Sequence, residues 1–98
     1  MNVYQWDDDK NTMLKQIRGV GFEQVILHIE NGDVLDVIEH PNTSKYSHQK
    51  VMVLNINGYA YAVPFVESGQ ERFLKTIIPS RKLTKQYLRS RHDKSKSG

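Results

Sequence analysis

The residues of this sequence with the greatest capacity for chemistry are cations and histidines. The four histidines, His28, His40, His48 and His92, show no metal-ligand spacing, and the chain contains no cysteine. Gly-rich phosphate loops and dinucleotide-binding fingerprints are also absent from the sequence. The sequence therefore predicts a protein that uses neither a metal ion nor a cofactor.

The cations are concentrated toward the carboxyl end of the chain. Residues 1–70 carry five Lys or Arg against nine Asp or Glu, whereas residues 71–98 carry nine against two. A basic segment of this kind attracts polyanions, of which nucleic acid is the commonest in a cell. A solubilising, partly disordered tail is the alternative interpretation, and composition favours it for residues 91–98.

RNA cleavage is one reaction that such residues can perform without a cofactor. Attack by the 2′-hydroxyl of the RNA needs a base for that proton, a cation for the phosphate and a proton donor for the leaving 5′-oxygen. Arg81 and Lys82 stand where a strand gives way to a helix, a common place for phosphate binding. Further candidates for acid, base or supporting cation are His40, Tyr46, His48 and Lys75. Candidates for RNA binding are Lys50, Arg72, Lys85 and Arg89.

Each of these candidates has a plainer alternative. Tyr46 and His48 fit an ordinary exposed loop, since residues 40–48 are rich in Pro, Asn, Thr and Ser. Lys75 fits a solvated position on a strand. These alternatives stay open on the sequence alone.

Three helices and four strands are expected to position the candidates. The acidic run from Asp7 begins a helix that ends at Gly19, with Met13, Leu14 and Ile17 at helical spacing. A second helix runs from Phe22 to the stop signal at residues 31–32, and Ser80 caps a third, basic helix over residues 81–91. The strands are predicted over residues 34–39, 50–56, 59–66 and 72–78.

The clearest local signal is a β-hairpin around Asn57-Gly58, formed by the strands predicted over residues 50–56 and 59–66. Asn-Gly favours a two-residue type I′ turn, because both central residues need positive φ. The resulting register pairs Ile56 with Tyr59, Leu54 with Tyr61 and Met52 with Val63, which leaves the opposite face to Asn55, Ala60, Ala62 and Pro64. Pro64 predicts a bulge or an unpaired edge nearby.

The order of elements predicts an α+β domain over residues 1–90. It comprises two N-terminal helices, a four-stranded, mainly antiparallel sheet and a C-terminal helix, followed by a basic, disordered tail over residues 91–98. Apolar runs fall short of the ~20 residues that cross a bilayer, and the acidic start is unlike a signal peptide. A cytoplasmic protein is expected.

Two short motifs resemble the BrnT family of bacterial toxins. Trp6-Asp7-x-x-Lys10 followed by Gly19-Val20-Gly21-Phe22-Glu23 is similar to that family's W-D-x-x-K and later G-[VI]-S-F-E. Ile77-Ile78-Pro79-Ser80-Arg81-Lys82-Leu83-Thr84 resembles its I-I-S-A-R-K-A-T. The family usually has His where this chain has Arg18, so that position carries no histidine here.

The resemblance implies a RelE-like fold and a ribonuclease that halts translation. It also implies neutralisation by a cognate BrnA-like antitoxin of the ribbon-helix-helix type. Operator DNA would be bound only through the toxin–antitoxin complex. Arg81 and Lys82 match the family motif position by position.

Two hypotheses of different classes follow. The first is a metal-independent endoribonuclease toxin, with Arg81 as the phosphate-stabilising cation, Lys82 and Lys75 in support, and His40, His48 or Tyr46 as acid or base. The second is a non-catalytic basic adaptor that binds a partner protein or nucleic acid. Loss of the family histidine motivates the second hypothesis.

Overall fold

The computed structural model describes residues 3–40, 42, 44–45 and 48–89. These residues form an α+β fold with three helices and one mixed sheet of six strands. The strands are β1 (Val3–Gln5), β2 (Val34–Glu39), β3 (Gln49–Ile56), β4 (Tyr59–Ser68), β5 (Glu71–Leu74) and β6 (Ile78–Pro79). The helices are α1 (Asp8–Arg18), α2 (Phe22–Glu30) and α3 (Arg81–Thr84), and a π-helical turn, Lys85–Arg89, continues α3.

The first two helices begin and end where the sequence predicts. The Asp7 carboxylate accepts a hydrogen bond from the Lys10 N–H (3.0 Å) and caps α1. Gly19, with φ of +71°, ends α1 in the left-handed conformation that glycine adopts without a steric cost. A side chain at Gly21 would collide with the Lys15 and Asn11 side chains, so glycine lets α1 and α2 approach closely.

The predicted hairpin is confirmed. Asn57 and Gly58 have φ of +56° and +86°, and the three predicted cross-strand pairs are all present. Because side chains alternate across a sheet, this register divides the hairpin between two faces. Met52, Leu54, Val63 and Phe65 belong to the main core together with apolar residues of α1 and α2, while Val51, Val53, Ala60, Ala62 and Pro64 lie on the second face.

The sheet has more strands than the four that the sequence predicts. β1 pairs in parallel with β5, so the sheet is mixed, with strand order β1-β5-β4-β3-β2 and β6 also paired with β4. A three-residue edge strand lacks the length for a periodic signal, which is why β1 is missed.

The strand predicted over 72–78 is broken into β5 and β6. The interruption between β5 and β6 lies opposite Pro64, whose carbonyl accepts a hydrogen bond from the Lys75 N–H (2.8 Å). Proline has no N–H to donate back, so the ladder cannot continue on that side. Ile77, in the interrupted segment, turns into the main core and is fully buried.

Two further expectations need correction. Of the three apolar residues at helical spacing in α1, only Leu14 is buried, whereas Met13 and Ile17 are exposed, because the core-facing stripe of this short helix is narrow. The predicted helix over 81–91 is α-helical only as far as Thr84 before the π-helical turn. Its last predicted residues and the predicted tail lie outside the described part of the chain.

Candidate functional site

Arg81 and Lys82 lie in the first turn of α3. The Ser80 hydroxyl caps this turn by accepting a hydrogen bond from the Leu83 N–H (3.1 Å), as the sequence predicts. Both cations are exposed, and neither makes an ion pair with any residue that the structure describes. Their charge therefore faces solvent and can attract an anion.

Hydrogen bonds fix α3 on the second face of the sheet. The Ala60 N–H donates to the Thr84 hydroxyl (2.8 Å), and that hydroxyl donates to the Ser80 carbonyl (2.7 Å). The Ser80 N–H donates to the Ala60 carbonyl (2.9 Å). Both backbone groups of Ala60 are satisfied in this way, so the start of α3 has a defined position over β4.

A second attachment holds the π-helical turn over β2. The Tyr87 hydroxyl donates a hydrogen bond to the Asp36 carboxylate (2.6 Å). This hydrogen bond, together with burial and the carboxylate charge, raises the pKa of the Tyr87 hydroxyl. The C-terminal helix is therefore attached at both ends and crosses the sheet from β4 to β2.

Between this helix and the sheet lies a cleft of about 410 Å³, called here the second-face cleft. Its floor and wall are apolar, and its polar lining residues are His40, Lys82 and Gln86. The apolar lining residues are Ile38, Val51, Ala62, Pro64, Ile78 and Leu83. The cleft brings one predicted cation and one predicted histidine to the same site.

His40 has a defined hydrogen bond within this site. Its Nδ1 accepts a hydrogen bond from the Asn42 N–H (3.1 Å). A neutral imidazole whose Nδ1 accepts must carry its proton on Nε2. In that tautomer Nε2 is a hydrogen-bond donor, which suits a phosphate or leaving oxygen better than it suits the abstraction of a proton.

A cationic depression adjoins the cleft on the outer side of the helix. Its lining residues are Arg81, Lys82, Lys85 and Gln86, and its volume is about 630 Å³. Lys82 and Gln86, one helical turn apart, line both the depression and the second-face cleft. The two concave regions are therefore adjacent and share these side chains.

Lys50 and Arg72, predicted to bind RNA, lie on the other face of the sheet. Both pair with Glu67, through Lys50 Nζ at 3.2 Å and Arg72 Nε at 3.0 Å. The hydrogen bond from Lys50, and then that from Arg72, lowers the pKa of the Glu67 carboxyl. The Arg72 guanidinium also lies 5.1 Å from the ring centroid of Phe65. These contacts place both cations in the packing around β4 and apart from Arg81.

The remaining predicted residues are spread elsewhere. Lys75 lines a depression beside α1, with its Nζ 5.3 Å from the ring centroid of Phe73. His48 is exposed before β3 and lines neither the cleft nor the cationic depression. Arg89 ends the π-helical turn. Tyr46 lies outside the described residues.

The N-terminal motif has structural contacts. The Trp6 ring stacks on Phe22 with centroids 5.6 Å apart, and the buried Asn11 side chain accepts a hydrogen bond from the Phe22 N–H (2.8 Å). Asn11 also donates to the Glu23 carboxylate (3.0 Å), and this bond, assisted by Lys15, lowers the pKa of Glu23. These residues join α1 to α2 across the main core.

Sequence reasoning missed the apolar part of the site. The predicted hairpin register did contain a signal, because it placed the small residues Ala60, Ala62 and Pro64 on one face. Small side chains beneath a helix leave space that larger ones would fill. Gln86 had no signal in the sequence, since its role depends on how the helix crosses the sheet.

The comparisons with known proteins give no relative. No known protein family, curated protein or solved structure matches the chain at a significant level. Within the described ranges, no helix combines the length and apolar character needed to span a membrane.

Proposed function

We propose that this protein is a metal-independent endoribonuclease toxin of the BrnT type, with a RelE-like fold. The observation that carries the proposal is the position of Arg81 and Lys82, exposed and without ion pairs to described residues, beside a cleft that His40 also lines. The two motifs that resemble the BrnT family support the same function. A cognate ribbon-helix-helix antitoxin would neutralise the toxin, and the protein would act in the cytoplasm.

The proposed reaction is an internal transesterification of RNA. The 2′-oxygen bonds to the adjacent phosphorus, its proton passes to a base, and the bond from phosphorus to the 5′-oxygen breaks to leave a 2′,3′-cyclic phosphate. Arg81 and Lys82 stabilise the negative charge of the crowded phosphate. His40, which lines the cleft, is the candidate proton donor to the leaving 5′-oxygen.

The direct test is incubation of the purified protein with total RNA and with ribosome-bound RNA in excess chelator. Cleavage together with growth arrest on induction is expected. Arg81→Ala should reduce the cleavage rate by about 10²- to 10³-fold, the usual loss when a charge-stabilising group is removed. Intact RNA and unimpaired growth with the native protein would reject the nuclease.

Arg18→Ala is a matched control, since Arg18 is also an exposed arginine at a helix end but lies at the end of α1. This variant should cleave at the rate of the native protein. If Arg18→Ala abolished cleavage and Arg81→Ala did not, the assignment of Arg81 would be wrong. The catalytic cation would then lie at the position where the family has its histidine.

A basic adaptor without catalytic activity is the second candidate. Lys50, Arg72 and Lys75 lie apart from the cations of α3, and among the described residues His40 is the one predicted histidine near those cations. This dispersal of the predicted catalytic and binding residues favours an adaptor. An adaptor predicts that Arg81→Ala weakens partner binding and its salt dependence while RNA stays intact. A substitution that abolished toxicity yet left partner affinity unchanged would reject it.

A further inference from the structure

The second-face cleft has a size and lining that call for a flat, mainly apolar ligand. Its volume of about 410 Å³ falls within the roughly 300–1,000 Å³ typical of small-molecule sites. The floor consists of Val51, Ala62 and Pro64, and Ile78, which is 41% exposed, lies at its border. An apolar floor of this kind offers nothing to a phosphate, so an anion alone does not explain it.

The surroundings of the cleft are cationic. Lys82 and Gln86 line both the cleft and the depression that contains Arg81 and Lys85. No carboxylate lines either region among the described residues. A polyanion bound along the helix would therefore hold its neighbouring groups directly over the cleft.

One polar side chain in the cleft, that of Gln86, matches the edge of a nucleobase. The Gln86 amide carries both a donor and an acceptor, the combination that protein amides use to bind base edges. Apolar contact with the base faces and hydrogen bonds to their edges are the usual basis for recognising unpaired RNA.

We infer that the second-face cleft binds one unpaired base of single-stranded RNA, whose phosphates lie on Arg81 and Lys82. This inference rests on the proposed function in taking RNA as the ligand, and it adds a substrate class to it. In a duplex the bases are stacked and paired, so no base can enter the cleft. The protein therefore discriminates between single-stranded and double-stranded RNA.

The test measures affinity without cleavage. Fluorescent hexanucleotides of A, C, G and U with 2′-O-methyl groups lack the attacking hydroxyl and cannot be cut by the proposed reaction. Their binding to the full chain is measured by anisotropy at fixed salt, beside a 2′-O-methyl duplex. The single strands should bind at least tenfold more tightly than the duplex.

Ala62→Leu fills the cleft floor without changing charge. It should weaken single-strand binding by about tenfold or more, in line with the effect of losing contact with one base, and leave duplex binding unchanged. Unchanged single-strand affinity in the folded variant would overturn the inference. Circular dichroism melting checks that Ala62→Leu is folded.

A second variant, Gln86→Glu, tests the inference if Ala62→Leu fails to fold. Gln86 is exposed, so this substitution should leave the fold intact. It adds a carboxylate at the border of the cleft and should weaken single-strand binding. Gln16→Glu adds the same charge to an exposed position on α1 and is the matched control. Equal loss of affinity in both variants would mean that only net charge matters, and the inference would be wrong.

The same measurements separate this inference from the proposed function. A protein that binds single strands through the cleft but leaves cleavable RNA intact keeps the inference and loses the nuclease. A protein that cleaves RNA with an affinity that Ala62→Leu does not change keeps the nuclease and loses the inference. Binding of a Leu- and Glu-rich acidic peptide that is sensitive to Ala62→Leu, while oligonucleotide binding is not, would assign the cleft to a protein partner instead.

Discussion

Tyr87→Phe removes the hydroxyl that attaches the π-helical turn to β2 and keeps the ring. The hydrogen bond to Asp36 is 2.6 Å long and joins residues 51 apart in sequence. A hydrogen bond to a charged group contributes ~1.5–3 kcal/mol. Because Tyr87 is only partly buried, we expect a loss of about 1–2 kcal/mol in the free energy of unfolding at pH 7. For a domain of this size that corresponds to a decrease in Tm of roughly 5–15 °C.

The effect should depend on pH in a defined direction. The pKa of the Tyr87 hydroxyl is raised above its ordinary value of 10.0 in the folded chain. The hydrogen bond therefore contributes its full stability below the unfolded pKa and loses it as the pH rises through the folded pKa. The native protein should approach the stability of Tyr87→Phe as the pH increases above 10.

The assay is urea or thermal unfolding of both proteins at pH 7 and above pH 10. Tyr59→Phe is the control, since Tyr59 is a surface tyrosine, 37% exposed, whose hydroxyl makes no hydrogen bond within the described residues. It should unfold within about 0.5 kcal/mol of the native protein. Equal stability of Tyr87→Phe and Tyr59→Phe at pH 7 would refute the attachment of the helix through Asp36.

Three further substitutions test other contacts by urea unfolding. Thr84→Val leaves the buried Ala60 N–H without an acceptor and should cost about 1–3 kcal/mol, whereas Thr84→Ser should keep both hydrogen bonds. Gly58→Ala should cost about 1–2 kcal/mol, because alanine is strained at a φ of +86°. No further steric cost is expected, since no atom lies within 4 Å of the added carbon. Glu67→Gln should cost up to about 1 kcal/mol at pH 7. The lowered pKa of Glu67 means that this loss disappears as the pH falls through the folded pKa, so equal costs at pH 7 and pH 2 would contradict the ion pairs with Lys50 and Arg72.

Local signals in the sequence predicted local structure well. The helix start at the acidic run from Asp7, the cap at Ser80, the stop at Gly19 and the turn at Asn57-Gly58 each depend on neighbouring residues only, and each is confirmed. The α+β class and the antiparallel order of β2 to β5 followed from the same signals. The edge strand β1 was missed, because its pairing with β5 depends on contacts distant in sequence.

The candidate site was predicted only in part. Arg81, Lys82 and His40 lie at one site, but charge alone could not show that Lys50 and Arg72 are paired with Glu67 on the opposite face. A charge pattern says how many cations a segment carries. Which face each one occupies is decided by strand register and by where the helices pack.

The parallel pairing of β1 with β5 has a consequence for the order of folding. It joins Val3 to Glu71, so its loop-closure entropy exceeds that of the β3–β4 hairpin, which closes over two residues. We expect the hairpin to form early and β1 to add late. In hydrogen exchange the amide of Val3, which donates to the Gln70 carbonyl (2.8 Å), should open in a partial unfolding that leaves the Met52 and Val63 amides protected. The first strand of the chain would thus be the last to join the sheet and the first to leave it.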